Sequence, residues 1–388
     1  MTAHADTKGR PGTGLGRRLA PEWAPAFGAV PRSAFLPDLM WPHDITTHRI
    51  TTVDRAGDPD GWQHAADSDM PIVTQWDDGA HRAYRPGMTA TVSSSKPSLV
   101  LSMLTDLDAH PGHRVLEVGT GTGWNAGLLA HRLGPASVVT VEIDGSAARA
   151  ARTALAQLGL DVRVIHGDGA TGHPARAPYD RVIATCGVRE IPFTWVEQTR
   201  PGGIVLVPWG THFSSTEATA RLTVADDGAG ARGPFTNLVT FMRLRAQRSA
   251  PPDYDSYVTP ESRAAAETSF TTLTREELLG GDYDVNAFAI GLRVPDCAHL
   301  IDRTTGDGRR TLWFYGLTDH SWAAVVHRDD KSRFTVYQWG QRRLWDEVES
   351  AYQWWIDQGR PQIERFGLSM DATGQRAWLD SPERPVRP

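Results

Sequence analysis

A chain of 388 residues is too long for one ordinary domain; at roughly 150 residues each, it should hold two or three. Hydrophobic (40%), aromatic (9%) and charged (22%) residues stand in globular proportions, which excludes wholesale disorder. The net charge of −6 argues against a nucleic-acid partner, no apolar run approaches the ~18 residues that span a bilayer, and the N-terminus lacks an apolar leader core. Two cysteines, Cys186 and Cys297, cannot build a disulfide framework and point to a reducing, cytoplasmic setting. All but Lys8, Lys96 and Lys331 of the 40 basic residues are Arg, a bias that fits a GC-rich genome.

Residues 1–20 are rich in Gly, Arg and Thr without periodicity and read as a disordered tail. From 21 to 110, short helical patterns alternate with Pro- and Asp-rich loops. Residues 111–248 alternate strand and helix signals. RVLEVG (114–119), SVVTVEID (137–144), VRVIHGD (162–168), YDRVIATC (179–186) and GGIVLVPWG (202–210) are separated by helical stretches. That order predicts an α/β domain with a doubly wound, mostly parallel sheet. RLTVADD (221–227) and TNLVTFMRLRA (236–246), joined by GAGARGP, predict a hairpin on the sheet edge. The Pro-rich stretch 249–262 reads as a linker. Residues 263–388 then predict a smaller α+β domain. FAIGLRV, TLWFYGL, SWAAVVH and FTVYQWG look like short strands. LWDEVESAYQWWIDQG predicts a helix with Leu344, Val348, Ala351, Tyr352, Trp355 and Ile356 on one face. Half of the 14 tryptophans lie here, so this part needs its own core or an aromatic binding surface.

The strongest chemical signal is VLEVGTGTGWNAGLLA (115–130). A buried strand delivers Glu117 and then Gly119-Thr120-Gly121-Thr122-Gly123 into a helix. Glycines there let the backbone turn sharply and approach a ligand. Nucleotide, flavin and sulfonium cofactors all use such a turn. An acid just before the glycines would repel a pyrophosphate, and the Lys of a phosphate loop is absent. Glu117 suits instead the amino group or sulfonium of S-adenosyl-L-methionine. Glu142 ends the next strand, where an acid grips ribose hydroxyls in this topology. Asp168 and Gly169 end the third strand, suited to the adenine edge. His166 reads as the end of a buried strand and Cys186 as a small packing residue.

On these segments the chain resembles the protein-L-isoaspartate (D-aspartate) O-methyltransferases. WAPAFGAVPRSAFLPD (23–38), SDMPIV (68–73), VSSSKPSLVLSML (92–104), the Gly-rich segment, HGDGATGHPARAPYDRVIAT (166–185) and LVPWG (206–210) carry the likeness, across residues 22–246. It implies a Rossmann-like class I S-adenosylmethionine-dependent methyltransferase fold. It also implies that Val92, Ser93, Ser94, Glu117, Gly119, Thr120, Gly121, Gly123, Glu142, Ile143, Asp168, Gly169 and Thr185 hold the cofactor, which leaves as S-adenosyl-L-homocysteine. Ser95 would sit beside the incoming carboxylate, or cap the following helix, or both. Asp69, Met70, Pro71, Ser95, Cys186 and Gly187 would face a peptide or protein substrate carrying an Asp or isoAsp carboxylate. A carboxylate is ionised at neutral pH, so the reaction needs no general base, metal or nucleophilic triad.

Three departures stand out. GMTATVSSSKP (87–97) is longer and more Ser-rich than the family's segment. Cys186-Gly187-Val188-Arg189-Glu190 replaces a run of small residues. The chain after about Arg248 has no counterpart in the short repair enzymes. Similar long actinobacterial relatives are understood to act in the maturation of ribosomally made peptides of the graspetide or lanthipeptide type. There they esterify an ordinary Asp of a macrocyclic precursor peptide, and the ester collapses to an aspartimide. The expectation is therefore this activity, with isoaspartyl repair as the alternative and a non-catalytic peptide-binding adaptor as a second. Neither nucleic acid nor membrane is an expected partner.

Overall fold

The computed structural model describes residues 20–281, 283–302 and 308–387. Apart from Ala20, the expectation for residues 1–20 lies outside them. Among the described residues no helix is long and apolar enough to cross a membrane. The chain forms two compact units, Met1–Cys186 with Thr194–Leu206, and Gly187–Phe193 with Val207–Pro388.

The first unit opens with helix α1 (Ala24–Ala29) and a five-stranded antiparallel sheet, where short helices and loops were expected. It comprises β1 (Leu39–Asp44), β2 (Arg49–Ile50), β3 (Val53–Asp54), β4 (Ile72–Trp76) and β5 (Ala90–Ser94). Helix α2 (Pro59–Asp67) lays Trp62, Ala65 and Ala66 on Met40 and Ile72. After α3 (Pro97–Leu107), strands and helices alternate: β6 (Val115–Val118), α4 (Trp124–Leu133), β7 (Val138–Glu142), α5 (Gly145–Gln157), β8 (Val162–His166) and β9 (Tyr179–Ala184). Helix α6 (Phe193–Glu197) and β10 (Thr199–Trp209) follow.

The parallel order is β8-β7-β6-β9, with Ile204 to Leu206 of β10 beside β9. Winding runs outward from β6 to β8, then jumps back to β9 on the other flank of β6. That reversal opens a crevice beyond the carboxyl ends of β6 and β9, the place where such sheets bind ligands. All residues of β6 and β7 are buried, as two covered faces require. β8 ends the order, and of its five residues only Val164 is buried. His166 is exposed, so its reading as the end of a buried strand is corrected: an outermost strand has less to pack against.

In the second unit β11 (Glu217–Val224) pairs with β12 (Gly230–Val239). GAGARGP is not all turn. Residues from Gly230 onward are strand, because β12 pairs on its other side with β18 (Phe366–Asp371), which pairs with β19 (Gly374–Leu379). The hairpin therefore bonds to the chain's last strands, and the unit boundary falls before the Pro-rich stretch. Residues 249–262 are not a bare linker either. They contain α7 (Tyr254–Tyr257) and, continuing past them, α8 (Pro260–Ala264). Tyr257 and Val258 are buried against Tyr315, Trp322 and Ala324.

A five-stranded antiparallel sheet follows, ordered β13 (Glu267–Thr271), β17 (Phe334–Trp339), β16 (Trp322–Arg328), β15 (Arg309–Gly316), β14 (Cys297–Ile301). After α9 (Arg275–Leu279), the expected strand FAIGLRV is instead helix α10 (Val285–Arg293). It is buried almost all round, so its apolar run carries no period to separate helix from strand. In α11 (Leu344–Asp357) the predicted face is buried except for Ile356, which is half-buried; Trp345 joins it. Trp322, Trp345, Trp355 and Trp378 are buried while Trp339 is 37% exposed, so most of the tryptophan surplus is core.

Candidate functional site

The crevice of the first unit is built around the glycine turn. Gly119, Gly121 and Gly123 have φ of 93°, 53° and 92°, the left-handed region open to glycine. Space is as restrictive as conformation. A Cβ on Gly119 would lie 2.8 Å from Thr185 Oγ1, and one on Gly121 would lie 3.2 Å from the Ser93 carbonyl oxygen. The turn is thus walled by Thr185, just after β9, and by β5. Val92 is buried, Ser93 half-buried and Ser94 buried, and Val92 and Ser93 lie against the turn at Gly121.

Glu117 is fully buried. It accepts hydrogen bonds from Asn125 Nδ2 at 2.6 Å and Thr140 Oγ1 at 2.5 Å. Thr120 and Thr140 share a hydroxyl contact of 2.6 Å. Burial raises the Glu117 pKa to about 7, although both hydrogen bonds oppose it. Only neutral groups donate to it, so a cationic ligand portion would find an acid not already matched to a charge.

Glu142 accepts from the backbone N–H of Gly121 and of Asp144, both at 2.9 Å. One carboxylate therefore fixes the turn and the start of α5 together, and carboxylate oxygens retain lone pairs for further donors. Ile143 is 39% exposed despite following a buried strand, an apolar surface at the carboxyl end of the sheet. Gly167 N–H donates to the Glu142 carbonyl, which brings the third strand's end alongside. Asp168 is exposed and caps a short 3-10 turn through Ala170 N–H at 2.9 Å; Gly169 is buried, and its carbonyl accepts from Trp195 Nε1.

Asp69, Met70 and Pro71 are half-buried before β4. The Asp69 carboxylate accepts from Ser98 N–H at 2.8 Å and lies 3.6 Å from Lys96 Nζ. Asp69, not Ser95, therefore caps α3. The cap position belongs to Lys96, whose side chain makes no cap bond, so the capping role expected of Ser95 is corrected. Ser95 is half-buried. Cys186 is half-buried rather than core, its Sγ 3.9 Å from the Val118 carbonyl. Gly187 belongs to the second unit, where its N–H donates to the Met242 carbonyl.

Sequence reasoning missed Arg32. It is buried and donates to Ser94 Oγ (2.9 Å), the Ser94 carbonyl (2.8 Å), the Met70 carbonyl (2.9 Å) and the Ser68 carbonyl (3.2 Å). Burial lowers its pKa to about 9, against the pull of Asp69 and Asp67. One guanidinium thus ties the 68–70 loop to the end of β5. Its only sequence signal was a place in the VPR segment. Asn125 and Thr140 were missed too, since nothing in their spacing marks a partner of Glu117.

The family profile described as protein-L-isoaspartate(D-aspartate) O-methyltransferase matches residues 71–232. A protein-L-isoaspartate O-methyltransferase of Methanopyrus kandleri is 43% identical over 119 residues, 30% of this chain and 53% of the relative. One of Methanothermobacter thermautotrophicus is 38% identical over 159 residues, 39% of this chain and 72% of the relative. The chain spans about half the length of several such relatives. A solved protein-L-isoaspartate O-methyltransferase superposes with a TM-score of 0.51 at 22% identity, covering 94% of this chain and 96% of its own. At that identity the likeness speaks for the fold alone: a class I methyltransferase fold with an additional β-rich C-terminal part. Coverage this wide includes most of the chain after Arg248, so a long C-terminal region does not by itself set this chain apart from proteins of that name. This chain belongs to the protein-L-isoaspartate (D-aspartate) O-methyltransferase family.

Proposed function

We propose that this chain is an S-adenosylmethionine-dependent carboxyl O-methyltransferase acting on a peptide or protein. The observation that carries this is the glycine turn between a buried, charge-unmatched Glu117 and the β5 segment, at the reversal point of the sheet. When bound, S-adenosylmethionine supplies a methyl group activated by the sulfonium. The chain's own residues then have three tasks. Glu117, Gly119 and Gly121 hold the amino-acid end, and Glu142 with Ile143, Asp168 and Gly169 hold the nucleoside. Ser95, steadied by the Arg32 clamp on Ser94, orients the carboxylate for in-line attack and keeps water out. Such orientation alone contributes about 7–11 kcal/mol in favourable cases. Thr185 and Cys186 flank the methyl-bearing side.

Family membership favours an isoaspartyl carboxylate as acceptor, and hence repair. One observation favours a second reading: the segment 186–190 departs from the family's small residues and includes Arg189, which is buried beside Glu217. In this reading the acceptor is an ordinary Asp of a ribosomally made macrocyclic peptide. The next backbone nitrogen then attacks the ester carbonyl, a C–N bond forms, and methoxide leaves with the amide proton as methanol. The test is incubation with S-adenosylmethionine and either an isoaspartyl peptide or a macrocyclic Asp peptide, followed by mass spectrometry. Methylation of the first alone establishes repair. Methylation and then methanol loss from the second establishes the maturation reading. No methyl transfer to either, despite tight cofactor binding, leaves the adaptor.

A further inference from the structure

Among the described residues, the second unit sets two guanidinium groups against one buried carboxylate. Glu217 at the start of β11 is fully buried, and Arg189 Nη1 donates to its Oε1 at 2.9 Å. Arg189 is itself 8% exposed; its Nη2 donates to the Ser214 carbonyl at 3.0 Å. A second guanidinium, Arg243 Nη2, lies 3.9 Å from the same Glu217 oxygen, beyond hydrogen-bond reach. Two cations therefore face one acid. Glu217 is the carboxylate whose charge acts on Arg243 among the described residues.

The hydrogen bonds are as incomplete as the charge. Arg189 Nε is buried without a partner. The Arg243 side chain is only 23% exposed, yet makes no hydrogen bond among the described residues. Its one ionic contact among those residues is the 3.9 Å pair to a carboxylate already hydrogen-bonded by Arg189, so the desolvation of this guanidinium is only partly compensated. Burial and then Arg189 and Arg243 lower the pKa of the nearby His212, against the pull of Asp296, so the imidazole adds no further cation to the cluster.

The backbone is shaped to this cluster. Gly187 bridges Arg243, and a Cβ on Gly187 would lie 2.2 Å from the Glu217 carboxylate. A Cβ on Gly210 would lie 3.0 Å from Arg189 Nη1. Arg189 comes from the stretch that departs from the family, and Gly187 from the position that the resemblance gives to the substrate.

We propose that Arg243, backed by Arg189, is a carboxylate-binding subsite that takes an acidic side chain of a peptide. A planar guanidinium presents paired donors that fit a carboxylate, and an incoming anion would balance the buried charge. The subsite rests on this geometry alone. Its assignment to the substrate peptide, as a second carboxylate besides the methylated one, rests on the methyltransferase reading.

The test measures binding of acetyl-Gly-Glu-Gly-Glu-Gly-amide and its Gln counterpart to the full chain by calorimetry at fixed ionic strength. The Glu peptide should bind at least tenfold more tightly, with a preference that shrinks as salt rises. Arg243→Gln should reduce the preference to within twofold, and Arg243→Lys should retain part of it. Because the Arg243 side chain makes no hydrogen bond among the described residues and shares Glu217 with Arg189, Arg243→Gln should melt at or above the wild-type temperature. Equal binding of the two peptides, or a preference that survives Arg243→Gln, overturns the subsite. So does a marked fall in melting temperature with the preference unchanged, which makes Arg243 a packing residue. A Glu preference in a chain that methylates no carboxylate keeps the subsite but overturns its assignment to the substrate.

Discussion

Glu117 and Glu217 are both fully buried, one in each unit, and their surroundings differ. Glu117 in the first unit receives hydrogen bonds from neutral Thr140 and Asn125, while Glu217 in the second sits between Arg189 and Arg243. Burial raises both acids, and in Glu217 it does so against two cations. The difference separates an acid kept available from one already committed. Glu117 has no fixed counter-charge and can answer a cationic ligand. Glu217 anchors arginines and leaves the second unit with positive charge to offer.

The sharpest way to break this contrast is to remove each acid. Glu217→Ala leaves Arg189 buried without its partner and should cost about 3–5 kcal/mol of stability. Glu117→Ala abandons only neutral donors and should cost about 1–3 kcal/mol. Denaturant melts of the two variants compare them directly, and equal losses would end the distinction.

Arg32→Met should cost about 2–3 kcal/mol, since it strips the donor from the Ser94 and Met70 carbonyls. Methyl transfer should fall with it, while Arg32→Lys, able to reach some of these acceptors, should recover part of both. Wild-type methylation in a folded Arg32→Met chain would show that the clamp does not position the site.

The pH dependence follows from the direction of the Glu117 shift. Its folded pKa of about 7 lies above the unfolded value near 4.5. The contribution is complete below the unfolded value and is lost as pH rises through about 7, on the order of 3 kcal/mol. Thermal melts from pH 4.5 to 7.5 should show this loss, and Glu117→Gln should flatten its share of it. Glu217, raised in the same direction, should keep a residual slope in that variant. Binding of a cationic cofactor should also release a proton near pH 7 from wild type and not from Glu117→Gln. The smallest effect is expected from Lys96→Met, which removes the partly exposed contact to Asp69 and should change stability by less than about 1 kcal/mol.

The first unit's candidate site was legible where its pattern lies within one local stretch. The glycine turn, Glu117, Glu142 and the parallel order follow from a strand-turn-helix pattern within one stretch. Arg32 and Asn125 were not legible, because a hydrogen bond between distant segments leaves no period. The Arg189 cluster was hidden for the same reason: Arg189, Glu217 and Arg243 meet only once Gly187 and Gly210 open space between elements. FAIGLRV failed differently, since a helix buried all round reads like a central strand. The hairpin's place failed because the strand that completes it comes from the end of the chain.

That last pairing has a consequence for synthesis. Pro234 in β12 lies opposite Gly367 in β18, so this pairing forms only after more than 130 further residues of the chain have left the ribosome. Until then β12 has one bare edge, which invites pairing with another copy of the chain. Nascent chains stalled before Phe366 should therefore depend on chaperones, and a premature stop there should yield aggregate rather than a shorter working protein.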